Sequence, residues 1–80
     1  MQKTIKLEEL SAIADEVDGQ VYKNYSGRGM FGAKCVGITC SSVTSCIEIA
    51  AVNGLTGARW DQLGKSFIVY WPDIQLEEEC

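Results

Sequence analysis

Two stretches of the chain place apolar residues at the three- and four-residue intervals of an amphipathic helix. The first predicts a helix that Gly19 ends, with acidic residues on its outer face and an inward stripe formed by Leu7, Leu10, Ile13, Ala14 and Val17. The second predicts a helix over residues 43–53, with a stripe formed by Val43, Cys46, Ile47, Ala50 and Ala51. Ser42 precedes it as an N-cap, although Ser45 and Glu48 have the spacing of a capping box that would start it one turn later.

Three further stretches have the composition of β-strands. Residues 20–25 alternate and are rich in β-forming side chains, and residues 34–40 place apolar side chains on one face as Val36, Ile38 and Cys40. The connection between them is rich in glycine, so these two strands predict a hairpin with a wide loop. Residues 67–71 are the most hydrophobic in the chain and predict a strand at the centre of the sheet.

The order of these elements is α-β-β-α-β, which predicts an α+β fold in a single small domain over residues 1–80. We expect a small three-stranded sheet with two helices on one face. A right-handed crossover would set the last strand parallel to the second, after a loop through Gly57 and Gly64. Residues 73–80 are acidic and predict a frayed tail.

The composition predicts the cellular compartment of the protein and whether it binds a metal or a cofactor. No apolar run approaches the roughly 20 residues of a membrane span, and the first residues carry no signal peptide. We therefore expect a cytoplasmic protein whose thiols stay reduced. The four cysteines lack the C-x-x-C spacing of zinc sites and the chain has no histidine, which predicts no metal and no cofactor. Cys40 and Cys46 are expected to be small core residues.

The net charge of −4 is unevenly distributed along the chain. Residues 21–60 carry four basic side chains against one acidic side chain, whereas both ends of the chain are acidic. This pattern predicts a locally positive surface on an acidic protein. Four basic residues are too few for sequence-independent binding of nucleic acid, which rests on several phosphate contacts.

A glycine-rich segment, residues 27–32, matches the G-x-G-x-x-G pattern of phosphate-binding loops. In a dinucleotide-binding domain that motif opens a helix, but residues 33–40 predict a strand, so the context excludes that fold. The strand–loop–strand setting is similar to the glycine-rich hairpin of protein kinases, whose other motifs are absent from the sequence. What remains is a loop whose backbone N–H groups, with Arg28 and Lys34 nearby, suit an anion.

The same loop carries Met30 and Phe31 where a solvated turn carries polar residues, and large exposed apolar side chains often mark contact surfaces. The predicted topology returns the second helix toward the loop, so residues 55–61 should flank it. The candidate binding surface therefore consists of Ser26, Gly27, Arg28, Gly29, Met30, Phe31, Gly32, Lys34, Arg59, Trp60 and Asp61. The alternative is a purely structural loop with Met30 and Phe31 packed back onto the core.

The sequence lacks the residue combinations that common enzyme mechanisms need. It has no histidine to act as a general base, its serines have no evident partner, and Asp61 and Asp73 are isolated carboxylates. We therefore predict that the protein is not an enzyme and works by binding.

One resemblance adds to this interpretation. Residues 25–32, followed by Cys35, Gly37 and Ile38, resemble a motif of small uncharacterised proteins of bacteriophages and prophages, and parts of residues 57–72 are similar to the same group. No activity is assigned to that group. The resemblance therefore implies a phage-type accessory protein in the host cytoplasm and no catalytic residues.

Two functions follow as hypotheses. In the first, the chain binds a host protein, for example a defence component, through the glycine-rich loop and its flanks. In the second, it sequesters a phosphate-bearing or cyclic nucleotide at the loop. Both use the same residues, so the sequence leaves them open. The exposed face of a three-stranded sheet also suits a homodimer.

Overall fold

The computed structural model describes residues 3–27 and 30–77 and confirms a small α+β fold. Its backbone forms two helices and a mostly antiparallel set of strands. In chain order the elements of these residues are β1 (Lys3–Ile5), α1 (Leu7–Glu16), β2 (Gln20–Tyr25), β3 (Cys35–Cys40), α2 (Val43–Val52), β4 (Arg59–Leu63), β5 (Ser66–Trp71) and β6 (Ile74–Leu76).

The main sheet of the described residues has four strands, one more than the sequence predicts. Its order is β2-β3-β5-β4, and every neighbouring pair is antiparallel. The hydrophobic β5 lies inside the sheet, as predicted, between β3 and β4. β1 and β6 form a separate parallel ladder, in which Lys3 pairs with Ile74 and Ile5 pairs with Leu76.

The additional strand, β4, corrects the expected loop through Gly57 and Gly64. It pairs with β5 through a two-residue turn in which Gly64 has a φ of 60°, a conformation that glycine adopts without a steric penalty. β4 reverses the direction of the chain between α2 and β5. Because of that reversal β5 runs antiparallel to β3, and the expected parallel arrangement is wrong.

Both helices cover one face of the main sheet, as predicted, and the main core lies between these layers. Its buried side chains from the helices, the main sheet and one loop are Leu10, Ile13, Ala14, Val36, Ile38, Cys40, Cys46, Ala50, Leu55, Val69 and Trp71. Each large apolar side chain buried in this way contributes about 1.5–3 kcal/mol to the free energy of folding. The predicted stripes need two corrections: Leu7 of α1 is 40% exposed, and Ala51 of α2 is exposed while Ile49 is half-buried.

The helix boundaries depend on a few residues at their ends. The Oγ of Ser42 accepts a hydrogen bond from the Ser45 N–H at 3.4 Å, so the predicted start of α2 is confirmed. At the end of α1 the residue in the left-handed region is Asp18, with a φ of 57°. Gly19 is required for a different reason, because a Cβ at this position would overlap the carbonyl oxygen of Thr39 on β3.

The expected tail is partly structured. Ile74–Leu76 form β6, the Ile74 side chain is buried, and the Glu77 N–H donates to the Ile5 carbonyl at 2.8 Å. Residues 78–80 lie outside the described part of the chain. Within the described part, no helix is long and apolar enough to cross a membrane.

Candidate functional site

A β-bulge in β2 brings two tyrosines to the face of the main sheet that the helices leave open. Tyr22 pairs with Gly37 whereas Tyr25 pairs with Cys35, so β2 has one more residue than β3 between these pairs. Gly37 and Cys35 are two positions apart and share a face, and their partners therefore share it too. Without the bulge, side chains three positions apart would point to opposite faces.

These tyrosines form an aromatic cluster with a third from β5, and we call Tyr22, Tyr25 and Tyr70 the tyrosine cluster. The ring centroids of Tyr22 and Tyr25 are 5.7 Å apart in an edge-to-face arrangement, and those of Tyr25 and Tyr70 are 4.9 Å apart. Such aromatic pairs contribute about 0.5–1.5 kcal/mol beyond the area that they bury. The Tyr25 hydroxyl donates to Asp61 Oδ2 at 2.9 Å, which connects β2 at one edge of the sheet with β4 at the other.

The surroundings of Tyr25 and Tyr70 keep these two phenols protonated. Burial, the hydrogen bond to Asp61 and the charge of that carboxylate raise the pKa of Tyr25 to about 12. The pKa of Tyr70 is also raised, by burial first and then by Asp61, while Arg59 opposes the shift. At neutral pH these side chains therefore offer hydroxyl groups and apolar surface, and they do not act as bases.

The start of the glycine-rich loop, at Gly27, lies against the tyrosine cluster. A Cβ at Gly27 would lie 2.6 Å from the Tyr70 hydroxyl oxygen, so only glycine lets the backbone approach the ring this closely. The Sδ of Met30 accepts from the Gly27 N–H at 3.1 Å and lies 3.9 Å from the Cys35 Sγ. Met30 is therefore half-buried against the sheet.

Phe31, the next residue, points away from the protein. The Ala33 N–H donates to the Met30 carbonyl at 3.0 Å and closes a turn in which φ is 52° at Phe31 and 86° at Gly32. Two central residues with positive φ are the pattern of a type I′ turn, where glycine, asparagine and aspartate are the usual occupants. The Phe31 side chain is 100% exposed, so it gains no packing in this position.

An open groove lies between the start of the loop and the edge of β4. Its lining residues are Tyr25, Ser26, Gly27, Trp60, Asp61, Gln62 and Gly64. The side chain of Trp60 is on the helix side of the sheet, since Trp60 pairs with the core residue Val69 and its ring centroid is 5.8 Å from that of Phe67. The wall that β4 contributes to the groove therefore includes the exposed backbone of an edge strand.

The structure brings part of the predicted surface into this groove, namely Ser26, Gly27, Trp60 and Asp61. Arg59 lies beside it on the open face, where it pairs with Tyr70. Lys34 does not line the groove: it is exposed, and its carbonyl accepts from Gln75 Nε2 at 3.3 Å next to β6. Arg28 and Gly29 lie outside the described residues.

Three cysteines are free thiols buried in the structure, Cys35, Cys40 and Cys46. Cys40 and Cys46 belong to the main core, as predicted, and burial raises the pKa of Cys46 to about 12. These thiols stay protonated and are therefore poor nucleophiles and poor metal ligands. Within residues 3–27 and 30–77, no three His, Cys, Asp or Glu side chains are close enough to hold a metal ion.

The tyrosine cluster is the main feature of the site that the sequence pattern does not mark. Tyr22 and Tyr25 contribute to a strand prediction, but their spacing alone assigns them to opposite faces.

Comparisons with protein-family models, curated proteins and solved structures find no match for the chain.

Proposed function

We propose that the chain is a non-catalytic binding module whose glycine-rich loop presents Phe31 to a partner protein. The observation that carries this proposal is the fully exposed Phe31 ring, next to a Met30 side chain that is packed down on the sheet. A few buried aromatic side chains contribute most of the binding energy of many protein interfaces. A partner that covers the ring would gain that contribution.

The unbound chain carries two energetic costs at Phe31. A side chain in the left-handed region costs about 1–2 kcal/mol relative to the right-handed region. An exposed phenyl ring also forgoes the roughly 1.5–3 kcal/mol that its burial would contribute. A partner recovers the second cost, and the hydrogen bond between Met30 and Ala33 limits the conformational entropy lost on binding because it fixes the turn in advance.

The open face of the sheet suits a protein partner better than a phosphate group. Tyr22 is 45% exposed and Arg59 is exposed on the same face of the sheet, and tyrosine and arginine are enriched at protein interfaces. The carboxylate of Asp61 lies in the groove beside Gly27, where it would repel an anion.

The resemblance of residues 25–38 to small phage proteins supports a host protein, for example a defence component, as the partner. On this proposal the chain acts by occupying a surface of that protein. Its own residues provide contact area and hydrogen bonds, and no chemical step is required of them.

Photo-crosslinking tests the proposal directly. A photoreactive phenylalanine analogue at position 31 is expected to capture a defined protein from a bacterial lysate. The same analogue at position 52 is the matched control, because Val52 is 88% exposed at the end of α2. Capture that is specific to position 31, and that excess wild-type chain abolishes but excess Phe31→Ala chain does not, supports the proposal. Equal labelling from both positions contradicts it.

The rival hypothesis is a trap for a phosphate-bearing or cyclic nucleotide at residues 27–32. The open groove beside Gly27, with Tyr25 in its wall, favours it. The melting temperature measured with mono-, di- and cyclic nucleotides separates the two hypotheses, because a ligand at 100 times its dissociation constant adds about 2.7 kcal/mol of stability. A shift that Arg28→Ala abolishes would favour the trap, whereas an unchanged melting temperature at millimolar nucleotide favours the protein partner.

A further inference from the structure

The two edges of the main sheet differ in how they are protected from pairing with another strand. β2 carries a bulge and Lys23, two features that hinder pairing at an edge. β4 pairs with β5 in an unbroken register from Arg59 to Leu63 and contains no lysine, proline or glycine. In the described part of the chain, no strand pairs with the outer side of β4.

The hairpin geometry determines which backbone groups of β4 face outward. Leu63 and Ser66 close a two-residue turn, so they exchange backbone hydrogen bonds, and every second pair along the ladder does the same. Asp61, two positions before Leu63, therefore also bonds to β5. The N–H and C=O groups of Trp60 and Gln62 point away from the sheet, where another strand can bond them.

We propose that β4 pairs antiparallel with β4 of a second copy of this chain, with Trp60 opposite Trp60 of that copy. The direction of the backbone groups allows only registers that set outward-facing residues opposite one another. In the proposed register Arg59 lies opposite Asp61 on both sides of the twofold axis, so two ion pairs form across the strands.

The neighbouring registers lack this complementarity. The next allowed register sets Asp61 opposite Asp61 of the second copy, and like charges directly opposite one another are destabilising. The register after that sets Gln62 opposite Gln62 and Asp61 opposite Leu63, which leaves the carboxylate without a basic partner. The charges of β4 therefore select one register.

The side chains on both faces of β4 suit this pairing. On the helix side, the Trp60 ring is 54% exposed and contacts the Phe67 ring on one side, so a second tryptophan would cover free surface. On the open side, Asp61 accepts from Tyr25 through Oδ2, and Oδ1 has no hydrogen-bond partner among the described residues. The guanidinium of Arg59 from the second copy can donate to that oxygen.

The expected dimer is weak. Pairing along one five-residue strand buries less than the roughly 800 Å² per partner of a standard interface, so we expect a dissociation constant in the micromolar range or weaker. The pairing uses no contact of Phe31. The inference therefore stands or falls independently of the proposed function.

Sedimentation equilibrium of the purified chain from roughly 10 µM to 1 mM, which covers weak association, tests the inference. The wild-type chain is expected to approach the mass of a dimer. Arg59→Asp and Asp61→Arg each set like charges opposite one another, and each is expected to raise the dissociation constant by about tenfold or more. A mixture of the two variants should form a heterodimer, since every charge then faces its opposite.

The double variant Arg59→Asp/Asp61→Arg tests the ion pairs themselves, because it restores both of them in the proposed register with the charges exchanged. The single variant Arg59→Asp distinguishes that register from its neighbour, where residue 59 lies opposite Leu63 and the change sets no new like charges opposite one another. A wild-type chain that is monomeric at the highest concentration overturns the inference. A double variant that is folded by circular dichroism but monomeric, while the wild type dimerises, also overturns it.

Gln62→Pro tests whether the dimer forms through the backbone hydrogen bonds of β4. Proline removes the outward N–H of Gln62 and leaves the bonds between β4 and β5 in place, which edge strands tolerate. We expect this variant to be folded and monomeric. A folded Gln62→Pro chain that dimerises as strongly as the wild type would exclude pairing through β4.

Discussion

Replacing Phe31 with asparagine should separate the stability of the fold from its capacity to bind a partner. The ring is 100% exposed, so its removal takes no buried area from the folded chain. Asparagine adopts the left-handed region more easily than phenylalanine because its short polar side chain can hydrogen-bond locally. With φ at 52°, we expect Phe31→Asn to raise the free energy of unfolding by about 1 kcal/mol. In a domain of this size that corresponds to an increase of roughly 4–8 °C in melting temperature.

A series at position 31 isolates the cause. Phe31→Ala removes the ring but keeps a Cβ in the left-handed region, so its stability should stay within about 0.5 kcal/mol of the wild type. Phe31→Val should be less stable than Phe31→Ala, because a β-branched side chain fits the left-handed region worst. Urea denaturation measures the three free energies, and competition in the photo-crosslinking assay measures binding, which all three variants should lose.

Two results would refute this reasoning. A Phe31→Ala chain that is destabilised by about 2 kcal/mol or more would mean that the ring is buried against its own chain. Full competition by all three variants would mean that the ring does not contact the partner. The first result concerns the structure of the turn, and the second concerns the proposed function.

Three further predictions concern the open face of the sheet and the turn before β2. The raised pKa of Tyr25 contributes stability that is complete below pH 10 and is lost as the pH rises toward 12. Tyr25→Phe should therefore be less stable than the wild type at neutral pH by about 1 kcal/mol, and urea denaturation should show this difference shrinking above pH 10. Tyr22→Phe is the control for removal of a phenol from the same face of the sheet. Gly27→Ala should move the loop off the ring beneath it, with a changed near-UV circular dichroism spectrum and a loss of about 1–3 kcal/mol. Gly19→Ala should cost more in urea denaturation, because its Cβ meets the backbone carbonyl of Thr39, which cannot rotate away; wild-type stability would contradict that close approach.

Local periodicity is sufficient to predict the elements that line the core. α1, α2, β3 and β5 each bury apolar side chains, and burial is what produces a period in the sequence. β4 has no such period, because most of its side chains are exposed and only its pairing with β5 defines it. β1 and β6 have three residues each, and each depends on a partner at the other end of the chain.

The position of the candidate site along the chain could be predicted from the sequence, but the arrangement of its side chains could not. The glycines and apolar residues of the loop mark a contact region, and Asp61 does lie in a groove beside Gly27. Met30 and Phe31 are adjacent and both large and apolar, yet the turn that contains them packs Met30 against the sheet and exposes Phe31. That difference depends on two backbone torsions, and the tyrosine cluster likewise depends on one bulge, which composition and spacing do not specify.

The parallel ladder between β1 and β6 has a consequence for the order in which the protein forms. β1 precedes every other described element in the chain and its partner β6 follows them all, so Ile5 is synthesised well before Leu76 exists to pair with it. Both Ile5 and Ile74 complete the main core. Contacts this distant in sequence form late, because the whole intervening chain must be ordered or looped before they are gained. During synthesis the two helices and the four strands of the main sheet are therefore made before β1 can pair, and native packing around Ile5 waits until β6 has been added.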